Sequence, residues 1–463
     1  MDRKKLLVFS LIGVVVLAVT VVIVTILSGK KAVTPDNTLT IWSPFDEADV
    51  INKISDQYLA DNPTVKLSFK YIAATDAKDY EAKVVDAIAN GTGPDIWVVR
   101  TDWLAKHQAK LIPSTNYVSW SKTQKDETKA AAEYFGANNA AQNSRDGHVY
   151  GFPLAVDSLA LYINTKVVND AISALSDANN SADSDKLSQT PVTWADIATW
   201  NQLLTKKDAK GNITTAGLAL GTVGNTYAPV DVYNAILNQY GGSLYSADEK
   251  AVGLDLVNVV GKQNIASGVQ ALNLFSSFAK AGDPNYSWNA AQGDPVNAFA
   301  NNKLAMMIGY STLSKDIQKA NKNLDTVKIV PLPQVDDPTI TNKRIDSANY
   351  WTMAVTKVSN KPATAWSYLQ ALGTTGAQAY GQQTGKPTFP EAQDAAVSRI
   401  GTGSLGDTTV FAEQASFAPA TFKPDWQVTD QIIQDMLNQA ILPGQSTQSA
   451  IDSAAARLKV LLP

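Results

Sequence analysis

The sequence predicts an α/β fold in two domains with one transmembrane helix ahead of them. Three observations predict it. Strand and helix patterns alternate from Leu39 to Val99, the 463 residues are too many for one ordinary core, and a charge-free, largely apolar run extends from Leu6 to Leu27.

The apolar run comes first in the chain. Its 22 residues would make a helix about 33 Å long, enough to cross the hydrocarbon core of a bilayer. Arg3, Lys4 and Lys5 precede it and favour a cytoplasmic N-terminus over residues 1–5, while Lys30 and Lys31 partly offset that bias. Residues 6–27 are therefore expected to be an uncleaved anchor, 28–37 a polar spacer, and the rest an extracellular domain. A cleaved signal peptide is the alternative, although such signals usually have shorter apolar cores.

After the spacer, Leu39–Trp42 reads as a buried strand ended by Ser43-Pro44. Ala48–Asn62 has helical periodicity, and Val65–Tyr71 alternates as a strand does. Tyr80–Asn90 is a second helix stopped by Gly91, and Gly93-Pro94-Asp95 introduces the strand Ile96–Val99. Such alternation makes a parallel sheet with crossover helices, which places ligands beyond the carboxyl ends of its strands. The loops after Trp42 and Val99 are thus the first candidate site positions.

Further along, Tyr150–Tyr162 reads as extended, and the Ser, Asp, Asn and Ala-rich stretch Ser173–Gln189 as a flexible surface insertion. Asp208–Asn212 is a turn, and helical patterns dominate from Pro229 to Gln318. Strands are expected at Leu304–Ile308, Val327–Val330 and Tyr350–Thr356, and helices at Ala363–Leu372, Thr429–Ala440 and Ser446–Leu461.

Composition excludes several functions. Net charge is −4 and no basic block exists beyond the ends of the apolar run, so nucleic acid is not an expected partner. The absence of cysteine removes disulfides, thiolate metal sites, cysteine nucleophiles and a lipid-bearing cysteine together. Only His107 and His148 could serve a histidine-based site. Asp283–Asn289 spaces oxygens somewhat like a calcium loop but has Trp288 and Asp294 where glycine and glutamate belong. Ser119-Trp120-Ser121-Lys122 matches a Ser-x-x-Lys pattern without its companion motifs. No metal and no cofactor is expected.

An ordered series of segments resembles the extracellular solute-binding proteins of bacterial ABC importers, in their maltose-binding-like, sugar-binding branch. The series is Gly93–Trp97 with Asp102-Trp103-Leu104, then Tyr150–Asn164, Thr193–Asp196, Asn297–Met306, Val330–Pro333 and Trp351–Val355. Together these cover about Leu39 to Leu461. The resemblance implies a periplasmic-binding-protein-like fold of two lobes, 38–155 with 350–398 and 160–345 with 402–463. Crossings near 155–160, 345–351 and 397–402 would form the hinge. It also implies a monomer that captures a carbohydrate, an oligosaccharide above all, in the cleft between lobes. Delivery to ABC permease subunits and a binding role, not an enzymatic one, follow from the same likeness. A surface sensor or adhesin on this fold is an alternative, and a membrane-anchored glycoside hydrolase a further one. Relatives often carry a basic contact in the first cleft loop, where this chain has Asp46-Glu47.

A sugar needs carboxylates or amides for its hydroxyls and flat rings for its C–H faces. By the resemblance, the candidate contacts are Asp46 after the first strand, Asp102 after the third, and Asp157 on the first crossing. The candidate rings are Trp103, Tyr310, Trp351 beside Tyr350, and Trp426 after Lys423-Pro424-Asp425. Trp42, Trp97 and Trp366 lie within apolar runs and are expected in the core.

Overall fold

The computed structural model of the chain describes residues 37–462, apart from 122–123, 261–262, 325, 337–343 and 389–408. The expected anchor at 6–27 and the third crossing near 397–402 lie outside the described residues. Among those described, no helix is long and apolar enough to cross a membrane.

Two sheets, each with its own core, make two lobes. The first contains β1 (Thr38–Ser43), β2 (Lys66–Tyr71), β3 (Ile96–Arg100), β4 (Leu111–Ile112) and β5 (Gly151–Phe152). The second contains β6 (Ala160–Asn164), β7 (Lys206–Lys207), β8 (Ile213–Leu218), β9 (Leu304–Gly309) and β10 (Val327–Pro331). The chain then returns to the first sheet as β11 (Trp351–Thr356). The first sheet has the order β2-β1-β3-β11-β4, with β5 also on β11, and the second the order β10-β6-β9-β8-β7. β1 runs parallel to both β2 and β3, as the alternation predicts, and β11 is antiparallel to β3 with Met353 opposite Val98.

Burial follows residue pattern. β9, Leu-Ala-Met-Met-Ile-Gly, is buried throughout because it lies in mid-sheet with both faces covered. β1 alternates buried and partly buried residues. Trp97, Trp103, Tyr80 and Trp366 are fully buried in the first lobe, and Phe275, Phe278 and Trp288 in the second. Trp42 departs from expectation. It is only partly buried, because its ring lies at the sheet surface with the Lys70 ammonium 4.3 Å above it.

Asp95 shows why Gly-Pro-Asp precedes β3. Its Oδ2 accepts from Thr40 N and Oγ1, both at 2.9 Å, and its Oδ1 accepts from Ser359 Oγ at 2.6 Å. One buried carboxylate thus ties β1 to the loop after β11. Asp95→Ala leaves these donors unpartnered, and chemical denaturation is expected to show a loss of about 2–3 kcal/mol.

The stretch Ser173–Gln189 is not a flexible insertion. It contains the end of α1 (Thr165–Asp177) and all of α2 (Ser181–Ser188). The Asn164 side chain caps α1 and the Asn180 side chain caps α2 by accepting from Asp183 N. Leu187 is buried, and the Trp200 indole donates to Lys186 O at 3.1 Å. Few apolar residues suffice because two caps and one anchor hold the pair. The helical stretch after Pro229 is also interrupted, by an antiparallel hairpin of Val257–Val260 with Gln263–Ala266. The extended segment Tyr150–Tyr162 is strand only at β5 and the start of β6.

Residues 153–159 carry the chain from the first sheet to the second, and residues after β10 carry it back. The two connections touch, as Ser158 and Ala348 form an antiparallel bridge and Leu159 N donates to Ser347 O at 3.2 Å. Both run beside the gap between the lobes.

Candidate functional site between the lobes

A cavity of about 570 Å³ lies in that gap. The loop after β1 and the ends of β3 and β11 supply Phe45, Arg100 and Trp351 from the first lobe. The loop and first turn of the helix Pro229–Gln239 supply Tyr227 and Asp231 from the second lobe, and the end of β9 supplies Tyr310. Asp157, on the first connection, stands between them. Parallel strands deliver their carboxyl ends here, so the position follows from topology.

Aromatic edges build one wall. Phe45 meets Trp351 edge-on with centroids 5.5 Å apart, and Trp351 meets Trp103 at 5.3 Å. Behind Trp103, Trp426 stacks at 5.4 Å with the planes 16° apart. Neither Trp103 nor Trp426 lines the cavity. One face of Trp426 is occupied by Trp103, and the Arg100 guanidinium lies 5.2 Å from its ring centre. Its indole N–H donates to Glu81 Oε2 at 2.8 Å. Glu81 also pairs with His107 at 2.6 Å and Lys106 at 3.1 Å and accepts from Gln427. Burial would raise the Glu81 carboxyl, but His107, Gln427, Lys106 and Trp426 together bring it down to about 2. That hub docks the start of the helix Trp426–Ala440, whose body packs in the second lobe, onto the first lobe.

Two charged groups flank the aromatic wall. In one, Lys386 Nζ donates to Glu47 Oε1 and to the Tyr380 hydroxyl, both at 2.8 Å, while its ammonium lies 4.0 Å from the centre of the Phe45 ring. In the other, Arg100 grips Asp102 with two hydrogen bonds of 3.0 and 2.8 Å. The Lys423 ammonium, on a side chain 1% exposed, sits 3.2 Å from Asp102, 2.7 Å from Asp430 and 3.7 Å from Asp231. Tyr310 donates to Asp231 at 2.9 Å. Burial opposes the charge on Asp102, yet Arg100 and Lys423 hold its carboxyl below the ordinary value. Asp430 is pushed up to about 6 by burial, against the pull of Lys423.

Asp157 accepts from Ser311 N at 3.0 Å, Ser311 Oγ at 2.6 Å and Ser158 N at 3.0 Å. Burial still pushes its carboxyl up to about 7. The folded chain therefore holds this proton more tightly than the unfolded chain, whose Asp titrates near about pH 4. The stability this group contributes is complete below that pH and is lost as pH rises through about 7. Asp157→Asn is expected to raise thermal stability at pH 8 relative to wild type and to change it little at pH 4. Melting curves at the two pH values check this.

Of the candidate residues, Asp157, Tyr310, Trp351 and Tyr350 line this cavity, the Tyr350 hydroxyl being held by Asn139 and Asn143. Asp102 faces a second cavity behind the ion cluster. Asp46 is exposed, and its neighbours Phe45 and Glu47 take the lining positions. Sequence reasoning missed Arg100, Asp231, Lys386 and Lys423. Arg100 was legible as the residue two before Asp102 at a strand end, and Asp231 as an acid in a Pro-initiated first turn. His107 is 2% exposed and committed to Glu81, and His148 is exposed beside Glu127 at 3.2 Å. Among the described residues, no group of three or more His, Asp or Glu is placed to hold a metal.

A profile of the family described as bacterial extracellular solute-binding protein matches residues 42–379. The chain belongs to that family. The maltotriose-binding protein of Pyrococcus abyssi is 29% identical over 138 residues, which are 28% of this chain and 27% of that protein. The chain thus matches about a quarter of the length of that curated relative. Solved structures share the fold over much more of the chain. The sugar-binding protein MalE from Xanthomonas citri superposes with a TM-score of 0.68 at 17% identity, covering 92% of this chain and 97% of that one. The cyclic alpha-maltosyl-1,6-maltose binding protein from Arthrobacter globiformis gives 0.68 at 17% identity, over 92% and 98%. The family is one of extracellular solute-binding proteins, so the gap between the lobes is where a solute site is to be sought.

Proposed function

We propose that this solute-binding protein captures a carbohydrate, an oligosaccharide above all, in the 570 Å³ cavity and delivers it to an ABC permease. The observation that carries the reading is the joint lining. Phe45 and Trp351 from one lobe face Tyr227 and Tyr310 from the other, with Asp157, Asp231 and Arg100 at the polar positions. Rings suit sugar C–H faces and charged groups suit hydroxyls. The volume falls within the range of about 300–1,000 Å³ usual for small-molecule sites. The relative's maltotriose and the maltose-related ligands of the structural neighbours point the same way.

A ligand touching both lobes binds the closed arrangement better than an open one and so shifts the population toward it. The permease then reads closure. In this reading the lobes comprise 38–155 with 350–398 and 160–345 with 402–463, residues 6–27 tether the monomer to the cell membrane, and the protein performs no catalysis. Adding maltotriose to the full chain is expected to raise its melting temperature in a saturable, concentration-dependent way. A melting temperature unmoved by maltotriose and by the other linear and cyclic maltooligosaccharides counts against the assignment. Deletion of residues 6–27 is expected to move the protein from the membrane fraction to the soluble one.

A further inference from the structure

The second cavity, of about 510 Å³, lies on the far side of the ion cluster. Asp231 and Asn349 line both cavities, while Arg100 faces the first and Asp102 and Lys423 the second. Like the first cavity, it is built by both lobes: Gln142 and Arg145 come from one and Asn234 from the other.

Part of its polar lining is unsatisfied. Asn234 is 2% exposed, and neither its Nδ2 nor its Oδ1 has a hydrogen-bond partner. Gln142 is 7% exposed and its Nε2 is unpartnered, as are Asn349 Oδ1 and Arg145 Nε. Buried polar atoms without partners carry a desolvation cost, and three amides and one guanidinium with such atoms around one cavity are an uncommon concentration. Several of the charges beside them are already paired. Asp102 is held by Arg100 and Lys423, and Arg145 pairs through both terminal nitrogens with Glu249. What remains is a mixed set of donors and acceptors. A hydroxyl both donates and accepts, so several hydroxyls on one small molecule satisfy such a set. The Phe422 ring adds an apolar surface to the same cavity.

We propose that this second cavity binds a neutral polyhydroxylated molecule of monosaccharide size, at a site separate from the first. The inference rests on the unpartnered amides and holds whatever fills the first cavity. Because both lobes line it, occupancy favours the lobe arrangement that assembles it. The shared Asp231 and Asn349 couple the two sites, and any effect of one ligand on the other is reciprocal.

The test is calorimetric titration of the full chain with glucose. Wild type and Trp351→Leu are expected to show the same glucose-binding step. Asn234→Ala and Gln142→Ala are each expected to weaken that step about tenfold, the loss of one or two hydrogen bonds. Two variants are used because Asn234 lies within a helix core, and melting curves confirm that each folds. No glucose binding at millimolar concentrations, or binding that both variants leave unchanged, overturns the proposal and leaves water as the cavity's only occupant. A step abolished in Trp351→Leu but intact in the two amide variants also overturns it, while supporting sugar capture in the first cavity.

Discussion

Replacing Lys423 with methionine is expected to cost about 3–5 kcal/mol of stability at pH 7.5, the usual consequence of removing one partner from a buried ion cluster. Methionine keeps the stem's bulk, so packing changes little. What is lost is the cation facing Asp102, Asp430 and Asp231. Arg100 continues to satisfy Asp102, which leaves Asp430 and Asp231 as the exposed weakness. Asp430 already titrates near about 6 with the cation present, and without it the carboxyl would rise further. Protonation then relieves the repulsion. The loss is accordingly expected to be smaller at pH 5 than at pH 7.5. Urea unfolding at both pH values measures it, and a loss that is equal at the two would show that charge is not its cause.

The second large effect concerns binding. Trp351→Leu is expected to weaken maltotriose about thirtyfold, or about 2 kcal/mol, the scale of an aromatic anchor at a binding centre. Trp351 is partly buried and also touches Phe45, Tyr80 and Trp103, so leucine is chosen to keep apolar contact with that wall. A melting temperature close to wild type, together with lost affinity, separates ligand contact from core packing. Unchanged affinity in a folded variant would remove Trp351 from the site.

How far these residues were legible varied with the kind of information each position carries. Strands β1, β3 and β9 were readable because apolar runs bounded by Pro, Gly or Asn signal themselves locally. Their parallel setting was readable too, because strands alternating with helices imply crossover connections, whereas the adjacency of β1 and β3 was set only by the tertiary fold. Asp157 and Trp351 were reached through the family likeness, and the fold brings both to the cavity. Asp46 shows the limit of positional inference. A shift of one residue at the loop leading into a helix turns the side chain away, and Glu47 takes the inward place beside Lys386. Trp103 and Trp426 show another limit. Sequence marks both as large rings but not that each covers the other. Lys423 and Asp231, nearly two hundred positions apart, could meet only through the tertiary fold.

A crystal structure of the full chain grown with maltotriose decides whether the gap between the lobes is the sugar site. Glucose rings are expected between Phe45 and Trp351 on one lobe and Tyr227 and Tyr310 on the other, with sugar hydroxyls about 3 Å from Asp157 or Asp231. Saturating sugar that leaves this space to water, or that settles on an outer face touching a single lobe, would rule this site out.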